Sequence, residues 1–238
     1  MNSQVLLVSL RVEELKPLIQ ARIPDHVALH CYRDAARVPP AVHNAQILVG
    51  APDELALLLP RMTSLRWVQS TWAGVAPLVA RDRHDYVLTG LKDVFGPSMA
   101  EYVLGWSLAL HRSILKHAQA TRWHWKPEAG LSSLRLGIAG SGSIGRVVAE
   151  RCAPFFESVV GLNSSGFHSA PVARCFSTAE RLEFASKVDV LAMMLPDTPA
   201  TDRLVDRELL DALNTGALVI NAGRANSLDL DAVQEALA

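Results

Sequence analysis

This chain of 238 residues has few cysteines and almost no net charge. It has only three cysteines, Cys31, Cys152 and Cys175, an odd number without CxxC spacing. This usage predicts neither a disulfide framework nor a zinc site, and we expect no bound metal. The charges nearly balance, with 23 Lys and Arg against 24 Asp and Glu, and the basic residues form no runs. We therefore expect no nucleic-acid partner.

Long hydrophobic runs are also missing. No apolar stretch of the sequence approaches the roughly 18 residues that a membrane-spanning helix needs. The N-terminal MNSQVLLVSLRVEELK has a short apolar run followed at once by charges, which is typical of a first β-strand and not of a signal peptide. We expect a cytoplasmic protein with no membrane partner.

What the sequence does contain is an alternation of short apolar runs with helical patterns. Strands are predicted at 4–10, 26–32, 45–50, 65–70 and 86–90, and again at 134–139, 158–163, 188–195 and 217–222. Helices are predicted between them, near 12–23, 52–62, 143–153, 179–186 and 205–214, and from 228. Such alternation predicts an α/β fold with two parallel sheets, each covered by helices on both faces.

A long helix should join the two halves. Gly96-Pro97 places a proline in its first turn, where the missing N–H costs nothing. Helical spacing then continues to Gln119 and puts one set of large apolar residues on one face: Tyr102, Val103, Trp106 and Leu110. We expect Trp106, and Trp67 in the first half, to lie in the core.

The predicted organisation is a first domain over 1–96, a helix and crossover over 97–133, and a second domain over 134–238. The sequence Gly140-Ser141-Gly142-Ser143-Ile144-Gly145 opens the second domain. It follows a predicted strand and begins a predicted helix, which is the context of a dinucleotide-binding turn. In such a turn the three glycines permit a tight bend, close approach of the diphosphate and helix–strand packing. The alternative is a glycine-rich turn needed only for packing.

The end of the next strand indicates which dinucleotide binds. An NAD site usually has a carboxylate there, bonded to the ribose hydroxyls. This chain has Asn163, Ser164 and Ser165, whose short polar side chains could bond to a 2′-phosphate. The pattern favours NADP(H) over NAD(H), although no arginine lies nearer than Arg174. A plain polar loop that accepts either cofactor is the alternative.

Arg224 follows another predicted strand, in INAGRANSLDLDAVQEAL. An arginine after a strand and a glycine lies where ligands bind in open α/β sheets. Its guanidinium can hold a carboxylate in a two-pronged pair and polarise a neighbouring carbonyl. Leu195-Pro196 ends the preceding strand and should face the same crevice.

In their order and spacing, five segments resemble the D-isomer-specific 2-hydroxyacid dehydrogenase family, in its branch of glyoxylate and hydroxypyruvate reductases. They are LRWVQSTWAGVAPLV, LTGLKDVFGPSMAEYVLG, GSGSIG, LPDTPATD and INAGRAN. The resemblance implies two Rossmann-like domains, of which the first is a flavodoxin-like substrate domain and the second binds NAD(P). It implies an NAD(P)-dependent oxidoreductase that reduces small 2-oxo acids to D-2-hydroxy acids, and a homodimer.

The resemblance also implies residue roles. Arg224 would bind the substrate carboxylate and polarise the keto oxygen, the backbone N–H groups of Ala73 and Gly74 would bind the same carboxylate, and Trp72 would shape the cavity. Cofactor contacts would come from the three glycines of the turn, from the short polar residues after the next strand, and from the following set: Ser143, Ile144, Leu195, Pro196, Ala222 and Gly223.

The family also uses a histidine as acid and a glutamate beside it, both well downstream of the arginine. This chain ends at Ala238, and none of its eight histidines follows a strand beside Arg224; His168 lies near the predicted adenosine end. We therefore expect a C-terminally shortened form of a reductase with little or no activity. The alternative is a dinucleotide-binding regulatory or interaction protein without turnover.

Overall fold

Two parallel β-sheets organise the chain, one in each of two units, Met1–Lys92 and Asp93–Ala238. The computed structural model describes residues 3–80, 83, 85–123, 127–128, 130–167 and 171–237. Every strand pairing within the two sheets is parallel. The predicted α/β class with two parallel sheets is confirmed.

The first unit is built around a sheet of order β2-β1-β3-β4-β5. This is the flavodoxin-like order, in which the chain reverses its direction of winding between β1 and β3. Leu6, Leu48 and Val68 on the three central strands are fully buried. Its elements are β1 (Gln4–Val8), α1 (Val12–Gln20), β2 (Ala28–Tyr32), β3 (Ile47–Gly50), α2 (Pro52–Leu58), β4 (Trp67–Ser70), α3 (Ala76–Val79) and β5 (Val87–Thr89), with 3-10 turns at Ala35–Arg37, Pro40–Val42 and Leu59–Arg61.

The second unit has the order β10-β9-β6-β7-β8, with its first strand in the centre. The order reverses between β6 and β9, as in dinucleotide-binding folds. Its helices are α4 (Gly96–His111), α5 (Ile114–Gln119), α6 (Ser143–Cys152), α7 (Arg181–Ala185), α8 (Arg207–Ala212) and α9 (Leu230–Ala236). Its strands are β6 (Arg135–Ala139), β7 (Ser158–Asn163), β8 (Arg174–Ser177), β9 (Val190–Met193) and β10 (Leu218–Asn221), and 3-10 turns lie at Leu131–Ser133, Ala153–Phe155, Thr178–Glu180 and Ala225–Ser227.

All nine strands predicted from apolar runs are present, with ends that differ by a few residues. The strand that sequence reasoning missed is β8, whose four residues RCFS begin with a charged residue. It is an edge strand that pairs only with β7. Because only Cys175 and Phe176 of β8 are buried, its sequence carries too short an apolar signal to be recognised.

The long helix predicted from Gly96 to Gln119 is broken. Ser113 adopts the left-handed conformation, with φ 48°, and separates α4 from α5. The expected core position of Trp106 is also wrong, because its side chain is 42% exposed, as Trp67 is at 41%. The buried stripe of α4 consists instead of Gly96, Ala100, Val103 and Ser107.

These residues are mostly small because α4 packs closely against α6. A Cβ on Gly96 would lie 2.6 Å from the Cβ of Val147. One turn further along, the Cys152 thiol approaches the carbonyl oxygen of Ala100 at 3.7 Å. The contacts advance along both helices together, so the two helices run parallel and begin at the same end. Burial raises the pKa of the Cys152 thiol to about 11.

In the described part of the chain, the helices are all too short or too polar to cross a bilayer.

Two glycines of α4 test the helix contact. Gly96→Ala should lower the free energy of unfolding by about 1–3 kcal/mol, because the new methyl group overlaps Val147. Gly105→Ala is the matched control in the same helix, since nothing lies within 4 Å of its Cβ position. It should stabilise the protein by about 0.5–1 kcal/mol, as alanine is the better helix former. Denaturant unfolding measures both, and equal effects would contradict the proposed packing.

Candidate functional site

The carboxyl edge of the second sheet is drawn together by main-chain contacts between neighbouring strand ends. A Cβ on Gly140, after β6, would lie 2.7 Å from the carbonyl oxygen of Met194. A Cβ on Gly223, after β10, would lie 2.7 Å from both the nitrogen and the oxygen of Leu195. The N–H of Ala222 donates to the Met193 carbonyl at 3.0 Å. The predicted site residues that follow β6, β9 and β10 are thus brought to one place.

The three glycines of the turn after β6 have three different environments. Gly140 has φ +96°, a backbone conformation that residues other than glycine rarely adopt. A Cβ on Gly145 would overlap the carbonyl oxygen of Gly140, so this glycine lets α6 pack against the strand end. Nothing lies within 4 Å of a Cβ on Gly142. The open space above Gly142 and the two packing glycines fit a bound dinucleotide diphosphate.

The first turn of α6 supplies donors to that space. The N–H groups of Ser143 and Ile144 precede the helical hydrogen-bond ladder, and within the described residues they donate to no acceptor. A helix N-terminus with free N–H groups favours an anion. The hydroxyl of Ser143 donates to the carboxylate of Asp93, a residue that sequence reasoning did not single out.

Asn163, at the end of β7, organises the loop that follows it. Its Nδ2 donates to Ser141 Oγ and to the Phe167 carbonyl, both at 2.8 Å. Its Oδ1 accepts from the N–H groups of Ser165 at 3.0 Å and Gly166 at 2.7 Å. The amide of Asn163 therefore holds the loop and the glycine turn together. Its Nδ2 and Oδ1 each make at least two hydrogen bonds within the protein, so they are less available to a ligand.

Ser164 and Ser165 are exposed on this loop. The Ser165 hydroxyl accepts from the Phe167 N–H at 3.2 Å, whereas Ser164 makes no side-chain hydrogen bond within the described residues. Arg174 bonds to Glu183 at 2.6 Å and to Glu180 at 3.0 Å, so its charge is already compensated. His168, which sequence reasoning placed near this loop, lies outside the described residues, as do His84 and His124.

Arg224 is exposed in the turn after β10, where it follows Ala222 and Gly223. Its carbonyl oxygen accepts from Asn221 Nδ2 at 3.0 Å and from Ser227 Oγ at 2.6 Å. Asn221 Oδ1 also accepts from the Gly223 N–H at 3.0 Å, so two side chains hold the turn in place. Within the described residues, no carboxylate lies within 4 Å of the Arg224 guanidinium, which donates to the Gly223 carbonyl at 3.2 Å. It can therefore accept an anionic ligand.

Sequence reasoning missed Asn221 and Ser227, the residues that hold this turn. Ser227 is fully buried, and both side chains serve the main chain around Arg224. Short polar residues on either side of Gly223-Arg224 were the available signal, since Asn and Ser often bond to nearby backbone in turns.

In the first unit, Trp72, Ala73 and Gly74 follow β4. The fully buried Ser70 accepts the Trp72 N–H at 3.0 Å and shapes the start of this loop. Trp72 is 58% exposed. The N–H groups of Ala73 and Gly74 donate to no acceptor among the described residues, so they are available to a ligand.

Comparison with known families decides what kind of protein this is. Residues 104–238 match the family model described as "D-isomer specific 2-hydroxyacid dehydrogenase, NAD binding domain". The chain belongs to this dehydrogenase family. The predicted resemblance is confirmed, and with it the dinucleotide-binding class of the second unit.

Curated relatives of this dehydrogenase family act on different 2-oxo acids according to their names. The chain is 25% identical to a 2-ketogluconate reductase of Gluconobacter oxydans, over 96% of this chain and 76% of that protein. It is 29% identical to a glyoxylate/hydroxypyruvate reductase of Arabidopsis thaliana, over 72% of this chain and 55% of that protein. The chain thus matches little more than half the length of the second relative.

Solved structures of the family superpose along the whole chain. A D-isomer specific 2-hydroxyacid dehydrogenase family protein from Aeromonas salmonicida is 30% identical, with a TM-score of 0.92, over 100% of this chain and 78% of that one. The dehydrogenase from Xanthobacter autotrophicus Py2, in complex with NADPH and MES, is 26% identical with a TM-score of 0.86, over 100% and 77%.

The glycine turn can be tested by separating folding from binding. Gly142→Ala places a methyl group in open space, so it should cost at most about 1 kcal/mol of stability at the helix start while strongly weakening dinucleotide binding. Gly145→Ala should destabilise the fold itself, because its methyl group overlaps main chain. Thermal unfolding and a fluorescence titration with NADPH measure the two effects. Unchanged NADPH affinity in the folded Gly142→Ala variant would contradict this assignment.

Proposed function

We propose that this chain is an NAD(P)H-dependent reductase of small 2-oxo acids, of the glyoxylate and hydroxypyruvate type, that forms D-2-hydroxy acids. One observation carries the proposal. The glycine turn and the uncompensated guanidinium of Arg224 lie at the same sheet edge, joined through main-chain contacts at Met194 and Leu195. A diphosphate-binding turn beside a carboxylate-binding cation suits hydride transfer to a 2-oxo acid.

The residues at this edge divide into two sets by role. The N–H groups of Ser143 and Ile144 would bind the diphosphate above Gly142. The nicotinamide pocket would be lined by Leu195, Pro196, Ala222 and Gly223. When bound, the cofactor supplies the hydride, and the protein supplies orientation and stabilisation of charge.

Arg224 would act on the substrate in two ways. Its guanidinium would bind the carboxylate by two parallel hydrogen bonds and polarise the keto oxygen, on which negative charge develops during reduction. The bonds from Asn221 and Ser227 to its carbonyl would keep it oriented. The substrate roles of Trp72, Ala73 and Gly74 in the first unit stay predictions.

The substitution Arg224→Ala tests this role. Loss of the guanidinium should lower kcat for NADPH oxidation with glyoxylate or hydroxypyruvate by about 10²–10³-fold, as for other groups that stabilise a developing oxyanion. Arg224→Lys is the control, which keeps the charge but loses two-pronged geometry and should retain part of the activity. The Kd for NADPH should stay unchanged in both. Full activity of Arg224→Ala would refute the assignment.

A second candidate function is a dinucleotide-binding regulatory or interaction protein with little turnover. Reduction of a 2-oxo acid needs a proton donor within hydrogen-bond reach of the substrate oxygen. The placement of the described histidines of the second unit favours the second function, because they do not lie at the sheet edge beside Arg224. The described histidines of the second unit, His111 and His117, lie within α4 and α5 and not on a loop after a strand. NADPH binding without oxidation by any 2-oxo acid would identify this second function.

We favour NADP(H) as the cofactor because of the loop after β7. No carboxylate occurs in residues 161–166, where one would repel a 2′-phosphate. The exposed hydroxyl of Ser164 is available, whereas Asn163 serves the loop itself. We infer that Ser164 is the residue of this loop best placed to meet the phosphate.

A charge at position 164 tests this preference. Ser164→Asp should weaken NADPH binding by about tenfold or more through like-charge repulsion, while NADH binding changes little. Ser164→Asn is the control of similar size without charge, and it should affect both cofactors alike. Equilibrium titrations of each variant with both cofactors give the ratio of the dissociation constants for NADPH and NADH. Equal losses for NADPH and NADH in Ser164→Asp would argue against a 2′-phosphate here.

We also propose that the chain forms a homodimer. Its support is the outer face of α4, on which Tyr102, Trp106 and Leu110 are each more than two-fifths exposed. Aromatic residues of this kind are enriched at protein–protein interfaces. Sedimentation of the purified chain measures its oligomeric state directly.

A further inference from the structure

The carboxylate of Asp93 lies at the rim of the glycine turn. It accepts a hydrogen bond from the hydroxyl of Ser143, the first residue of α6. Asp93 is exposed, and within the described residues no Lys or Arg forms an ion pair with it. An uncompensated negative charge therefore stands beside the N–H groups that would bind a diphosphate.

Helix packing holds Asp93 in this place. The parallel contact of α4 with α6 places Gly96, the first residue of α4, beside Val147 in the second turn of α6. The residues just before α4 therefore lie level with the first turn of α6. Asp93 is three residues before α4, so its position follows from that contact. It adopts φ 61°, a left-handed conformation that Asp tolerates better than most residues. The local backbone thus accommodates an Asp whose carboxylate reaches across to α6.

The charge of the Asp93 carboxylate is favourable in the free protein and unfavourable when a dinucleotide is bound. In the free protein it is attracted by the positive ends of two helices. When a dinucleotide binds, the same carboxylate faces a negatively charged diphosphate. Because the space above Gly142 is open, Asp93 lies beside the diphosphate space and does not fill it. It should therefore weaken binding by repulsion and by competition for the helix end, without preventing it.

We propose that Asp93 sets the affinity of this protein for its dinucleotide by opposing the diphosphate at the N-terminus of α6. The inference rests on the proposed dinucleotide-binding function and adds a residue that lowers affinity and favours release. Because it acts on the diphosphate, it affects NADPH and NADH to the same degree, unlike a residue that contacts the 2′-phosphate.

The substitution Asp93→Asn removes the charge while keeping an acceptor for Ser143 and a residue that tolerates positive φ. We expect NADPH and NADH to bind about two- to fivefold more tightly, the range of an exposed charge interaction. The gain should shrink as the salt concentration rises, since exposed charges are screened. Asp211→Asn on α8 is the control, because it removes the same charge from a helix that packs against α7 and α9.

The titrations distinguish failure of the inference about Asp93 from failure of the proposed dinucleotide-binding function. Tighter binding of both cofactors by Asp93→Asn, with Asp211→Asn unchanged, supports the inference. If all variants bind but Asp93→Asn binds equally or more weakly, the inference is overturned while the proposed function stands. If neither the wild type nor any variant binds NADPH or NADH, the proposed function fails and this inference with it. Asp93→Gly, which also permits positive φ, replaces the Asn variant if that one does not fold.

Discussion

The second unit depends on how closely three stretches of main chain approach one another at one sheet edge. Gly140 lies against Met194, Gly223 lies against Leu195, and Gly145 lies against the carbonyl oxygen of Gly140. At each position a methyl group would collide with backbone atoms, which cannot move aside as a side chain can. These contacts tie the ends of β6, β9 and β10 together. The glycine turn and Arg224 are neighbours as a consequence.

A second close contact, between α4 and α6, accounts both for the exposed large residues of α4 and for the position of Asp93. Because Gly96 and Ala100 are small, the helices approach closely and bury a narrow stripe. The large residues Tyr102 and Trp106 are left on the outer face. The same contact places Asp93 beside the first turn of α6. Helix packing thereby influences both a candidate interface and the charge at the candidate cofactor site.

The site uses few charged groups. Main-chain N–H groups and a helix terminus would bind the diphosphate, and one guanidinium would bind the substrate carboxylate. Polar side chains such as Asn163, Asn221 and Ser227 bond mainly to the backbone around these groups. This division suits a family in which the cofactor performs the chemistry and the protein supplies orientation. Within the described residues, the charges of Arg224 and Asp93 at this edge have no ion-pair partner, and we assign to them the proposed effects on substrate and dinucleotide binding.

Local sequence patterns were sufficient to predict the α/β class, nine of the ten strands, the glycine turn and the place of Arg224 after a strand. Each of these has a local signal, such as an apolar run bounded by turn residues or a fixed glycine spacing. Three further features depend on contacts between distant segments and have no local signal: which face of α4 is buried, the bonding of Asn163 within its own loop, and the hydrogen bond between Asp93 and Ser143. Periodicity identifies an apolar face, but the closeness of the neighbouring helix selects the small-residue face for burial. The hydrogen-bond partner of a polar side chain likewise depends on which backbone folding brings within about 3 Å of it.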